Sequence, residues 1–343
     1  MGKHDIYCLM LGTCLMACSQ PFQNNGIAID LDGENQKEIR FSSFVDSISY
    51  IPLETRKDCL IGKIEDIILS DSILSVLNEE QNTIFQFDRQ GKFLRKIAKV
   101  GNGPGEYPVI NQMAYNEKRQ SISLASSKII EYDLYGNLKN EFTVPFYVSD
   151  LYQFDNGDYL LSRFDRLDDP NVLLALVDTT GYVKKELFNR NTQYGIETNN
   201  LWELIPLDDG IHFITPQIEN TVYSYEEDSI KNVLSFNISP QIPSDFYKSK
   251  RGIPLLGNYY YRTIYRESQN WINLIFCTLE KVRTLLYNKR TKQYMLGEVF
   301  KNDMDDKKQI FFLSHSKGNT FTNYVKADDE EDNPVIQILH LKH

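Results

Sequence analysis

The sequence predicts an all-β protein, a six-bladed β-propeller with four-stranded antiparallel blades and a ring closed by N- and C-terminal strands. Three observations carry this. First, hairpins of alternating apolar character, IFQFDRQGKFLRKI (84–97), IIEYDLYGNLKNEF (129–142) and LLALVDTTGYVKKELF (173–188), turn at Gly91, Gly136 and Gly181, which stand 45 residues apart. A fixed period of that size built from hairpins is the mark of propeller blades. Second, 21 Tyr and 19 Phe suit side chains that pack on pleated surfaces. Third, strand candidates at both ends of the chain, SISYIPL (47–53) and PVIQILHL (334–341), have no blade of their own and can pair to hide the edges of the seam.

Six blades at this period need about 270 of the 343 residues. In chain order, blade 1 runs from about Ile61 to Ile97, blade 2 from Asn111 to Phe142, blade 3 from Val148 to Phe188 and blade 4 from Asn200 to Phe236. Their turns use Asp71-Ser72, Asp155-Asn156-Gly157 and Asp208-Asp209-Gly210, residues that tolerate the positive φ of tight hairpins. Blade 5 takes YYYRTIYRE, WINLIFCTL, TLLYNK and YMLGEVF, and blade 6 takes QIFFLSH, TFTNYVKA and PVIQILHL. The weakly alternating stretches 27–31 and 38–44 precede these blades, and one N-terminal strand is expected to complete blade 6.

The first residues read differently. Lys3 and His4 are followed by the apolar run Ile6–Ala17, too short for a permanent span and suited to an export signal over 1–17. Leu15-Met16-Ala17-Cys18 matches a bacterial lipobox, so Cys18 is expected to carry lipid, with 18–26 as a tether and 27–343 as the propeller. Ser19-Gln20 lacks an acidic inner-membrane retention signal, and an outer-membrane lipoprotein facing the periplasm or the surface is expected, touching the membrane through its lipid alone. Cys59 and Cys277 fall in blades too distant to bridge and are expected to be buried thiols. A net charge of −10 with no basic stripe argues against nucleic acid.

The lipobox, SISYIPLETRKDCLIGKI (47–64), FDRQGKFLRKI (87–97) and GNGPGEYP (101–108) together resemble the six-bladed, NHL-like propeller lipoproteins of Bacteroidetes-type bacteria. Gly101, Gly103, Pro104, Gly105, Glu106 and Tyr107 match that family's GxGPGEY/F motif in full. The resemblance implies six blades outside the cytoplasm. It implies no common activity.

The GNGPGEY loop admits two roles. Pro104-Gly105 can form a type II turn with Glu106 capping amides and Tyr107 packed between blades, or Glu106 and Tyr107 can face a ligand at the channel mouth. The most ligand-like composition is an aromatic and basic set on blades 3 to 5: Arg163, Arg166, Trp202, Tyr260, Arg262 and Arg266, with Asp165, Tyr259, Tyr261, Tyr265 and Trp271 nearby. Aromatic faces stack on sugars or peptide side chains and Arg forks bind carboxylates, although alternation turns half of Tyr259–Arg266 into the core. Too few histidines remain in the blades for a three-His zinc site, and His212 in IHFIT reads as a packed strand residue. Glu65, Asp66, Asp150 and Asn200 lie near strand starts, where a lactonase-type calcium site would need them. The acidic run 328–332 reads as a solvated loop.

The function expected is a monomeric, non-catalytic binding or scaffold module of the cell envelope for a glycan, peptide or partner protein, without cofactor or metal. The alternative is a metal-dependent hydrolase or lyase at the channel mouth. Carboxylates from three or more blades around a metal would favour the enzyme. An uncharged, aromatic-lined funnel would favour the binder.

Overall fold

A computed structural model describes residues 26–33, 36–163, 172–189, 203–214, 220–242, 257, 259–305, 307, 314–315, 318–329 and 331–343. Six sheets follow one another along the chain. Blade 1 is built from β4 (Ile64–Leu69), β5 (Leu74–Asn78), β6 (Thr83–Phe87) and β7 (Phe93–Ile97), and blade 2 from β8 (Gln112–Asn116), β9 (Ser121–Ala125), β10 (Ile129–Asp133) and β11 (Leu138–Phe142). Blade 3 holds β12 (Val148–Gln153), β13 (Tyr159–Arg163), β14 (Val172–Val177) and β15 (Val183–Asn189). Blade 4 holds β16 (Ile205–Leu207), β17 (Gly210–Ile214), β18 (Thr221–Glu226) and β19 (Ser229–Ser239). Blade 5 holds β20 (Tyr261–Glu267), β21 (Trp271–Cys277), β22 (Val282–Asn288) and β23 (Tyr294–Lys301).

Blade 6 closes the ring as expected. Its order is β24 (Ser314–His315), β25 (Thr320–Val325), β26 (Val335–Leu341) and then β3 (Val45–Pro52), the N-terminal strand running antiparallel to β26 from Val335 opposite Pro52 to Leu341 opposite Val45. The weakly alternating stretches 27–31 and 38–44 form two further strands, whose placement on blades 4 and 5 the sequence did not indicate. β1 (Ile27–Asp30) lies parallel on the outer edge of β19, and β2 (Gln36–Arg40) lies parallel on the outer edge of β23. The one-turn helix α1 (Phe41–Phe44), with both phenylalanines buried, then carries the chain across to blade 6. The first segment is therefore a belt over blades 4, 5 and 6.

Neither face of a single blade is covered by its own strands, so each blade buries apolar residues against the next. Six separate clusters result, one at each junction. Ile84, Ile97 and Leu77 meet Met113, Ile122 and Tyr132 between blades 1 and 2, and Ile336, Ile338 and Ile51 meet Ile64, Val76 and Phe85 across the seam.

The three evenly spaced glycines share one construction. Asp88, Asp133 and Asp178 each accept, through one carboxylate oxygen, the amides two and four residues on, at 2.8 to 3.1 Å. Gly91, Gly136 and Gly181 then take φ of +85°, +82° and +87°. Each turn leans on the preceding blade: a Cβ on Gly91 would run into the carbonyl oxygen of Pro52, and one on Gly181 into that of Thr143.

Cys59 is buried and Cys277 half-buried, and both are free thiols; burial pushes the Cys59 thiol up to about 11. Cys277 thus departs from the expectation of full burial, because it ends β21 at an exposed turn. Among the described residues, no helix is long and apolar enough to cross a membrane.

Candidate functional site: the central channel

The first strands of blades 1 to 5 border a cavity of about 640 Å³ along the ring axis. Its walls come from β4, β8, β12 and β16, with Arg266 of β20, and it extends to the turns that follow each inner strand, including Gln269 and Gly318. Lys118 and Asp155, 78% and 55% exposed and paired at 2.6 Å, stand at that end. Seven carboxylates and two cationic side chains line it.

Asp66 and Asp150 are set by the same local device in blades 1 and 3. The register slips between Ile64 and Asp66 on β4 and between Val148 and Asp150 on β12. Such a bulge re-aims a side chain. In both, the aspartate folds back so that one oxygen accepts the next amide at 2.7 Å, from Ile67 and from Leu151. The other oxygen of Asp150 accepts the amide of Leu204 at 2.7 Å, joining blade 3 to blade 4. Arg266 pairs with Glu203 and donates to its neighbour's carbonyl, that of Tyr265, at 2.9 Å.

Burial pushes the Asp66 carboxyl up to about 6, although the Ile67 amide and the Arg266 charge work against it. Burial pushes Asp150 up to about 7, against the amides of Leu204 and Leu151 and with some help from the charge of Asp66. Burial brings Arg266 down to about 10, so it stays cationic. Carboxyls kept near neutrality inside a cavity are a recognised feature of working sites. Among the described residues, no group of three metal-ligating side chains converges here. The channel is also charged, so it matches neither of the two patterns set out from the sequence.

Of the residues nominated from the sequence, Arg266 lines the cavity, as do Glu65, Asp66 and Asp150. The others within the described residues lie in packing positions. Tyr107 is fully buried in the junction between blades 1 and 2, donating to the Ile97 carbonyl and accepting the Lys99 amide, both at 3.1 Å. Glu106 accepts the Gly103 amide at 2.9 Å, and a turn closes from Gly103 to Glu106 with Gly105 at φ +65°. Arg163 is buried with its guanidinium over the Phe146 ring at 4.6 Å. Tyr260 donates to Asp32 at 2.9 Å, fastening the belt to blade 5. Arg262 is buried against Asn220 at 2.8 Å. Glu106 and Tyr107 lie in the loop between β7 and β8 and Tyr260 just before β20, outside the strands that line the axis, and a bulge between Arg262 and Ile264 takes Arg262 out of step with Arg266. Cys18, Asp165, Arg166, Asn200 and Trp202 lie outside the described residues. In the acidic run, Asp328 is exposed and pairs with Lys307.

One polar cluster had no sequence signal. Behind the channel wall, between blades 4 and 5, fully buried Glu267 receives hydrogen bonds from His212 Nδ1 at 3.0 Å, from Lys289 Nζ at 2.7 Å and from the Tyr265 hydroxyl. Burial works to raise the Glu267 carboxyl, but the His212 hydrogen bond and the Lys289 charge outweigh it and hold it below the usual range. His212 is thus a packed strand residue, and its partner comes from the next blade.

Fold and channel define a six-bladed β-propeller with an acidic axial cavity. The chain belongs to the family described as a domain of unknown function, DUF4934, which matches residues 26–340. A crystal structure of a protein of Bacteroides fragilis described as exported superimposes with a TM-score of 0.75 at 16% identity, over 92% of this chain and 99% of that one. A DUF4221 member from Bacteroides vulgatus gives 0.53 at 12% identity, over 87% and 97%. These likenesses speak to the fold. A search of curated proteins found no match.

Proposed function

We propose that the protein is an exported binding module of the cell envelope, held by lipid on Cys18, whose axial channel takes a small polar portion of a glycan, peptide or partner protein. The observation that carries this is the cavity itself: about 640 Å³, within the usual size of ligand sites, with Asp66, Asp150, Glu203 and Arg266 converging from four blades. The likeness to an exported Bacteroides protein supports the envelope location. The lipobox supports the anchor, since acyl chains on one cysteine can hold a protein that has no spanning helix.

Glycan and peptide arrays probed with the full-length protein and with Asp150→Asn test the reading. A ligand bound by the first and lost by the second is expected; ligands retained equally by both would remove the channel from the function. Labelling cells with an alkyne fatty acid should mark the wild type and leave Cys18→Ala unmarked. A second reading, a hydrolase or lyase, is favoured by one observation: burial pushes the Asp66 and Asp150 carboxyls up to about 6 and about 7, so that a fraction of each keeps, near neutral pH, the proton a general acid needs. Turnover of an array ligand by the wild type, abolished in Asp150→Asn, would establish it.

A further inference from the structure

We infer that the group seated in the channel is a cation, an ammonium or guanidinium, received by Asp66 together with Asp150; this rests on the channel being the binding site. The cavity walls are unbalanced, with seven carboxylates against two cations. Both cations are already engaged. Lys118 pairs with Asp155 at the exposed end, and Arg266 is committed to Glu203 and to the Tyr265 carbonyl.

Asp66 and Asp150 therefore face the axis without a directly paired cation, close enough for the charge of one to disfavour ionisation of the other. Asp150 uses both oxygens on backbone amides. Asp66 uses one, and its second oxygen has no partner among the described residues while the side chain borders the cavity. The Arg266 guanidinium, whose charge reaches both carboxyls, also has a buried Nε without a partner among the described residues. A neutral hydroxyl could occupy the free oxygen of Asp66, but it would leave the two neighbouring carboxyls opposing each other's ionisation between low-dielectric walls. A cation relieves that repulsion and fills the site in one step. A protonated amine on a slender stem has the reach to enter along the axis, and it could be borne by a lysine side chain or by an amino sugar.

Paired probes differing only in that charge decide the matter. Calorimetric titration of the full-length protein in detergent would use the tripeptide Ala-Lys-Ala against its Nε-acetyl form, and glucosamine against N-acetylglucosamine. The expected result is that at least one amine binds, that its acetylated partner binds at least tenfold more weakly, and that Asp66→Asn and Asp150→Asn each weaken the amine at least tenfold while melting cooperatively. Which pair responds identifies the source of the amine. Should either variant fail to fold, the amine and acetyl comparison on the wild type still decides. Equal binding within each pair, no binding by any amine, or amine binding untouched in both folded variants overturns the inference. Neutral array ligands that depend on Asp150 would leave the binding module standing while removing the cation.

Discussion

Asp150 is 7% exposed and bound by two amides, and its carboxyl is held at about 7 against an ordinary 3.8. Between those values the folded protein binds more protons than the unfolded chain, so stability falls as pH rises through the window, by about 1.4 kcal/mol per pH unit for one proton. Asp150→Asn should remove that slope: thermal melts are expected to place the variant above the wild type at pH 8 and level with it near pH 4. Parallel melting curves across pH would show that the burial of Asp150 carries no such penalty. Glu267 has the opposite sign, its depressed carboxyl contributing stability that is present above about 4.5 and lost in acid. Lys289→Met takes away its lysine partner inside the junction of blades 4 and 5, and a loss of about 3 kcal/mol in urea unfolding is expected at pH 7. At this scale the sequence was only partly readable. The shared x-Asp-Ile/Leu start of β4 and β12 was visible, but a carboxylate near a strand start is common, and only the bulge aims these two at the axis. Tyr260 and Arg262 had the composition of ligand contacts, yet Tyr260 sits just ahead of β20 on Asp32, and a bulge after Arg262 leaves that side chain on Asn220 rather than in the channel.

At the scale of the hairpin, the 45-residue spacing was legible because a single steric requirement repeats. Each turn needs a left-handed residue, and at Gly91 and Gly181 the preceding blade leaves no space for a side chain. Gly136 is looser, since a Cβ there would sit 3.3 Å from the Ile97 side chain and meet no backbone atom. Gly136→Ala should therefore cost about 1–2 kcal/mol, the backbone penalty alone. Gly91→Ala and Gly181→Ala should cost at least twice as much, since a backbone carbonyl must also move. Denaturant midpoints of the three variants check the order, and equal losses would mean that the contact between turn and neighbouring blade carries no load. The GNGPGEY junction was readable for a related reason. Its glycines and proline specify a tight turn, and the full burial of Tyr107 explains why an aromatic residue follows it.

For the molecule as a whole, closure by β3 and β26 followed from two strands left without a blade. The weak alternation of 27–31 and 38–44 showed in the sequence, but the parallel pairing of β1 and β2 with β19 and β23 did not, because nothing local names a partner more than two hundred residues away. The two kinds of N-terminal strand should respond differently to truncation. Removing residues 1–33 takes away β1 with buried Ile29 and Leu31, an expected loss of about 3–6 kcal/mol from a ring that still closes. Removing residues 1–53 also takes the outer strand of blade 6 and should abolish the cooperative transition. Circular dichroism melts of both truncations check this, and a cooperative melt from the shorter chain would show that the seam holds without β3.

The belt also dictates an order of events during folding. Residues 27–52 leave the ribosome before any complete blade, but their partners β19, β23 and β26 are synthesised about two hundred or more residues later. The opening strands must wait unpaired while the early blades condense, and contacts so remote in sequence form slowly. The latch is made from strands synthesised ahead of all the blades they close, and it cannot engage until β26 has emerged.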